Sequence, residues 1–167
     1  TGGELVIRLA PNQIDKRAGL ISTNPYDLRG DRVFVEVTTV PDQSAGGDTT
    51  LIVTLSRTEN SYLSFEVEVG QITIALFQSS VSTILSSGTP YDAVEHRWWQ
   101  IRESGGTFFF ETAPDGTTWT TIHSQQLSID VSAVHPSLAA GMNGVADPNP
   151  GEAHYDNFNR GTEPVCN

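Results

Sequence analysis

Apolar and polar residues alternate along most of this chain, and the pattern is densest between His96 and Trp119. Residues 97–102 alternate, residues 107–112 alternate, and Ser104-Gly105-Gly106 lies between them. A period of two is that of a strand, and Gly-Gly between two such runs marks a hairpin. Directly paired residues of a hairpin share a face. A loop of two or four residues gives one parity: Trp99, Ile101, Phe108 and Phe110 on one face, and Trp98, Gln100, Arg102, Phe109 and Glu111 on the other. A three-residue loop would mix the sets and bury Glu111 beside Trp99, at the cost of desolvating a carboxylate. The first set is therefore expected in the core and the second outside it.

The same alternation predicts strands over residues 3–10, 19–23, 32–40, 49–57, 61–69, 71–78, 81–85, 119–123, 138–143 and 152–159, with a tight turn at Thr58-Glu59-Asn60. In 61–69 the inward set is Leu63, Phe65, Val67 and Val69, and the outward set is Tyr62, Ser64, Glu66 and Glu68. Residues 11–17 read as a loop, and 129–135 as either a short strand or a helical turn. Pro114-Asp115-Gly116 is a turn by composition. No long stretch carries a helical period. Many short strands separated by polar turns predict an all-β antiparallel sandwich or barrel.

The 167 residues fit one domain, expected over 1–160, with 161–167 as a tail or cut linker. A net charge of -11, with Lys16 as the single lysine, argues against nucleic acid and anionic membranes as partners, because phosphate binding needs basic clusters. No apolar run approaches the ~20 residues of a membrane-spanning helix. Cys166 is the single cysteine, which excludes an internal disulfide and leaves a thiol for pairing outside the domain. Neither a CxxC pair nor an HExxH helix is present. Arg29-Gly30-Asp31 is an RGD tripeptide, read as the end of a turn that opens the strand at 32.

Four segments together carry a resemblance: Y-D-L-R from Tyr26, H-R-W-W-Q-I-R-E-S-G-G-T from His96, E-T-A-P-D-G-T-T-W from Glu111 and H-Y-D-N-F from His154. The series resembles bacterial laminin-G-like modules of the concanavalin A-like lectin/glucanase group, over nearly the whole chain. The resemblance implies a jelly roll of two curved antiparallel sheets. It also implies an extracellular or cell-surface setting, beside other domains of a longer chain or among like subunits. T-A-P-D-G-T-T-W further resembles the Asp-box hairpin of sialidases, in which the Asp bonds turn amides and the Trp packs below. One copy is read as a stable hairpin.

Three chemistries compete for this chain. Sugar binding needs an aromatic face for the apolar side of a ring, and amide, carboxylate and guanidinium groups for its hydroxyls. Trp98, Gln100, Arg102, Phe109 and Glu111 supply that set, with Tyr62 and Glu66 as an extension if their strand joins the same sheet. The competing reading makes Trp98 and Phe109 cross-strand partners under a loop, with Arg102 and Glu111 an ion pair. Glycoside hydrolysis would need the paired carboxylates that retaining enzymes of the fold group carry as ExDxE. Here only Glu66-Val-Glu68 comes near, with Ser64 and Gly70 flanking. Acids two apart on a strand sit roughly 6.5–7 Å apart, wider than the ~5–5.5 Å of a retaining pair. Calcium would draw on Asp156 with Glu4 as partner, and less on Asp42, Asp48, Asp147 and Glu152. The expected function is therefore noncatalytic binding of a polysaccharide or glycan, with one structural Ca2+ as the candidate cofactor. A structural or adhesive role in a surface fibre or appendage is the alternative, and a glycoside hydrolase the weaker one.

Overall fold

The computed structural model describes residues 3–56, 60–144 and 146–159. Twelve strands run β1 (Leu5–Arg8), β2 (Lys16–Ile21), β3 (Arg32–Thr39), β4 (Gly47–Ser56), β5 (Ser61–Glu68), β6 (Gln71–Gln78), β7 (Val81–Pro90), β8 (Trp98–Ser104), β9 (Thr107–Ala113), β10 (Thr120–Gln126), β11 (His135–Met142) and β12 (Glu152–Asp156). A 3-10 turn at Gln43–Ala45 is the one helical element among the described residues. The strands form two antiparallel six-stranded sheets. The first has the order β1-β12-β3-β8-β9-β10 and the second β2-β11-β4-β5-β6-β7. One edge of each sheet thus joins an early strand to a late one, β1 to β12 and β2 to β11, which is a jelly-roll order.

The core lies between the sheets and is built by alternation. Trp99, Ile101, Phe108 and Phe110 of the first sheet meet Leu51, Leu63, Phe65, Val67, Ile72 and Ile74 of the second, all essentially buried. Phe65 stacks on Trp99 across the gap, centroids 5.1 Å apart. Tyr155 ties the layers with a polar bond. From β12 its hydroxyl donates to Ala139 O at 2.5 Å and accepts from Thr50 N at 3.3 Å, both in the second sheet.

Several element boundaries differ from the sequence reading. β2 starts at Lys16, inside the expected loop, because β11 supplies a partner for each residue from Lys16 to Ile21. β7 continues to Pro90 through two register shifts against β6. Its exposed serines and Gly88 carry no strand signal of their own. β11 begins at His135, although a proline at 136 argues against a central strand. Pro136 pairs with Val53 on one side, and on the other the ladder to β2 starts only at Ser137, so the missing N–H costs little. Val69, expected in the core, instead sits exposed in the β5–β6 turn. The expected end of the fourth strand at Arg57, the turn at 58–59 and the tail with Cys166 lie outside the described residues.

Candidate functional site

The β8–β9 hairpin has the predicted parity. Ser104 pairs with Thr107, Gln100 with Glu111 and Arg102 with Phe109, around a two-residue loop in which Gly105 and Gly106 both have positive φ. The five outward residues are brought together as expected, but they do not form an open surface. Trp98 is only 8% exposed. The turn after β9 folds back across its indole. Asp115 Oδ1 accepts from the amides of Thr117 (2.8 Å) and Thr118 (2.7 Å), which fixes the turn. Gly116, at φ +71°, then lies so close that a Cβ there would stand 2.9 Å from the Trp98 ring. Phe34, Ala113 and Trp119 complete a small apolar cluster around the indole. Asp115 bonds the turn amides as the Asp-box resemblance implied, but the indole beneath the turn is Trp98 of β8, with the motif's own Trp119 packed beside it, and the turn is what removes Trp98 from solvent.

The polar members of that face bond to one another. Arg102 grips Glu111 with Nε and Nη2, each at 3.0 Å; Gln100 Nε2 donates to Glu111 at 2.6 Å and Thr121 Oγ1 at 3.1 Å. The Arg102 guanidinium also covers the ring of Phe109, 4.0 Å from its centroid, a cation–π contact that occupies the surface a sugar would need. The expectation of an exposed stacking face at Trp98, Gln100, Arg102, Phe109 and Glu111 is corrected accordingly: a loop covers one end and an internal ion pair closes the other.

This network has a consequence for acid stability. Burial pushes the Glu111 carboxyl up, but the bonds from Arg102, Gln100 and Thr121 outweigh it and hold the group below its ordinary value of 4.5. A carboxylate depressed by folding stabilises above its unfolded value, and that contribution is lost as pH falls through the folded one. Glu111→Gln should cost about 1–3 kcal/mol at neutral pH. The deficit should shrink once pH drops below the unfolded glutamate value of about 4.3, as read from urea unfolding midpoints along a pH series.

Tyr62 and Glu66 lie on β5, in the second sheet, so they do not extend the hairpin face. They belong to the outer face of the second sheet, where a different group assembles. Arg17 is paired with Gly141, Gly141 with Asp48, and Asp48 with Glu68. A Cβ on Gly141 would stand 2.4 Å from Arg17 Cγ, so the bare glycine lets the arginine lie across β11. Arg17 Nη2 thereby reaches Asp48 Oδ1 at 2.8 Å and Glu66 Oε2 at 3.5 Å. Asp48 is fully buried beneath it, and Asp48 Oδ2 has no hydrogen-bond partner among the described residues. Glu68 accepts from Asn143 Nδ2 at 3.0 Å.

Burial pushes the carboxyls of both Asp48 and Glu66 up, against the opposing pull of Arg17. Between this cluster and β7 the outward side chains are short. Thr50, Ser64 and Ala75 face outward yet are buried, so the centre of the face is a shallow trough of short side chains, bounded on β4 by the half-buried Ile52 that pairs with Ser64. At its far end Tyr62 and Phe77 stack as cross-strand partners, centroids 5.0 Å apart and 13° from parallel. Four residue steps along β5 separate Tyr62 from Glu66, about 13 Å, the scale of a short oligosaccharide. Arg17, Thr50 and Phe77 escaped the sequence reading as site residues, and Asp48 entered it only as a minor calcium ligand in a loop. Outward parity on β4 could have flagged Asp48 and Thr50, but Arg17 sat in an apparent loop.

The metal ligands expected from sequence do not form a site. Glu4 accepts from Thr38 Oγ1 and from His154 Nδ1, and Asp156 Oδ1 accepts from the amide of Asn157 at 2.7 Å. Among the described residues no group of three His, Cys, Asp or Glu side chains is placed to hold an ion. Asp42 and Asp147 bond to nearby loop amides, and Glu152 pairs with Arg8 and His154. These residues do not fit a calcium ion as they stand. The RGD tripeptide is also committed internally: Arg29 pairs with Asp27, Gly30 N donates to Glu103 and Asp31 accepts from the Tyr26 hydroxyl. No helix among the described residues is long and apolar enough to cross a membrane.

No protein-family model matches the chain, and no curated protein matches it. Solved structures do. The β-glucanase of Bacillus licheniformis superposes with a TM-score of 0.60 at 11% identity, over 83% of this chain and 68% of that one. The exoplasmic/lumenal domain of VIP36, in a form bound to Ca2+ and Man3GlcNAc, gives 0.64 at 14% identity, over 93% and 79%. The carbohydrate-binding module CBM66 from Bacillus subtilis gives 0.52 at 10% identity, over 86% and 93%. Likeness at such identities reports the fold and not the activity. With two six-stranded antiparallel sheets around one core and these neighbours, the protein is a jelly roll of the concanavalin A-like fold, the architecture that lectins, glucanases and carbohydrate-binding modules have in common.

Proposed function

We propose that the chain is a noncatalytic carbohydrate-binding module, laminin-G-like in kind, of a secreted or cell-surface protein, and that the outer face of its second sheet makes the contact. The observation that carries this reading is the fully buried Asp48, whose Oδ2 has no partner among the described residues, at the end of a shallow trough of short outward side chains. A buried unsatisfied carboxylate oxygen costs free energy that a ligand donor can recover. The Tyr62–Phe77 pair adds aromatic surface to the same face. The structural neighbours include a lectin-like domain and a carbohydrate-binding module, which supports a sugar as partner.

Glycoside hydrolysis is the second reading. It draws on two carboxyls, Asp48 and Glu66, that burial pushes up on one face. Against it, one guanidinium holds both groups, leaving neither free as a nucleophile.

A glycan and polysaccharide screen with parallel assay of released reducing ends tests both. Weak binding is expected, reduced about tenfold or more in Tyr62→Ala, with no turnover. Turnover that disappears in Glu66→Gln would establish the hydrolase. Binding that survives Tyr62→Ala and is lost in Arg102→Ala would return the site to the first sheet, and binding to nothing would end the carbohydrate reading.

A further inference from the structure

The charge and hydrogen-bonding balance of this trough favours one class of sugar. Three carboxylates, Asp48, Glu66 and Glu68, face one guanidinium, Arg17, one amide donor, Asn143 Nδ2, and the Thr50 hydroxyl, which donates to Asp48 Oδ1 at 3.5 Å. Acceptors are still in surplus, and the most deeply buried of them, Asp48 Oδ2, has no partner among the described residues. That oxygen lies beneath Arg17 and against Gly141, where a Cβ would stand 3.2 Å from it. A hydroxyl answers such a surplus only in part, because it brings acceptor lone pairs with its donor. An ammonium group brings donors alone and a positive charge, and bonds between charged partners are roughly twice as strong as neutral ones. A uronate or sulfated sugar would add acceptors and negative charge to a face already negative, on a chain whose net charge is -11.

We infer that the outer face of the second sheet binds glycans carrying free amino groups, such as de-N-acetylated hexosamine polymers, in preference to neutral glycans, and that it excludes uronates. This inference rests on the carbohydrate-binding reading and narrows it. Arg17 covers Asp48 from an edge strand, with its side chain 36% exposed, so the ammonium first meets Glu66 and Glu68 and then competes with Arg17 for Asp48. Small outward side chains at Thr50 and Ser64 leave room for the ring beside these groups.

The test is calorimetric titration of the chain with a short glucosamine oligomer, its fully N-acetylated counterpart, a neutral glucan oligomer of the same length and an oligogalacturonate. The glucosamine oligomer is expected to bind about tenfold or more tighter than the acetylated one, and the galacturonate not measurably. Glu66→Gln should weaken glucosamine binding about tenfold. Glu95→Gln, the same loss of charge at an exposed position outside the trough, should change it less than about twofold. Equal binding of acetylated and free-amine oligomers would overturn the amine preference while leaving the carbohydrate reading in place. Equal effects of Glu66→Gln and Glu95→Gln would show nonspecific attraction of a cation to an acidic protein and would also overturn it. Binding of none of the oligomers would remove both.

Discussion

Trp98→Ala will destabilise the protein by about 3–5 kcal/mol, the usual cost of deleting a buried aromatic side chain, without abolishing sugar binding by the molecules that remain folded. The indole is 8% exposed and packs against Phe34 and under the turn at Gly116. Removing it leaves a cavity beneath a turn whose own bonds, centred on Asp115, remain intact. Collapse into the space is therefore restricted, and restricted collapse is what places a substitution in the upper part of that range. Urea unfolding followed through the remaining tryptophans measures the loss, and titration of the folded fraction measures binding. A variant of normal stability that no longer binds would instead make Trp98 a ligand contact.

Arg17→Ala should produce the second large effect, a loss of about 2–3 kcal/mol. Removing one partner of a buried pair is typically worth ~3–5 kcal/mol because the other charge is stranded. The lower figure applies here because Arg17 is partly solvated while Asp48 is fully buried. The variant should also show a specific pH signature. Burial already pushes the Asp48 carboxyl up, and Arg17 is the main influence opposing it. Without the arginine the folded-state value rises further. A carboxyl raised by folding costs stability as pH climbs from its unfolded value, about 3.9, through its folded one. The deficit of Arg17→Ala should accordingly be small in acid and full above the raised value. Adding Asp48→Asn should recover much of it, since the stranded charge is gone. A deficit independent of pH, or a double variant no better than the single one, would show that Arg17 acts through packing of its stem alone.

Both predictions concern residues that sequence placed differently, and the reason is the same. Alternation reports which residues of a strand share a face. It does not report what lies over that face. The β8–β9 hairpin was legible down to its two-residue loop, because a one-residue slip would have driven Glu111 into the core. Its outer face was not, because the turn at 113–119 returns over Trp98, and the direction of that return depends on Phe34 in a strand 64 residues away from Trp98 in sequence. Likewise an Arg102–Glu111 ion pair belonged to the competing reading of that face, and Gln100 faces Glu111 by register, but Thr121 completes the network only once β10 is in place.

The sequence by itself determined most of the strands, the inward and outward sets of the β8–β9 hairpin and, Val69 apart, of β5, and hence an all-β sandwich, since period and turn chemistry are local properties that burial reads directly. Which strands are neighbours was decided by the tertiary structure alone. β2 and β11 are separated by most of the chain, and neither has a pattern that names its partner. Their pairing with β4 sets Arg17, Gly141 and Asp48 in one row and leaves Glu66 beside them. The candidate site is a property of that row. Tyr62 and Glu66 had been read from parity as a possible extension of the hairpin face, yet the second sheet carries them away from Trp98 and toward Arg17 and Asp48, because loop closure between distant strands answers to the packing of the whole core and not to any signal within the strands themselves.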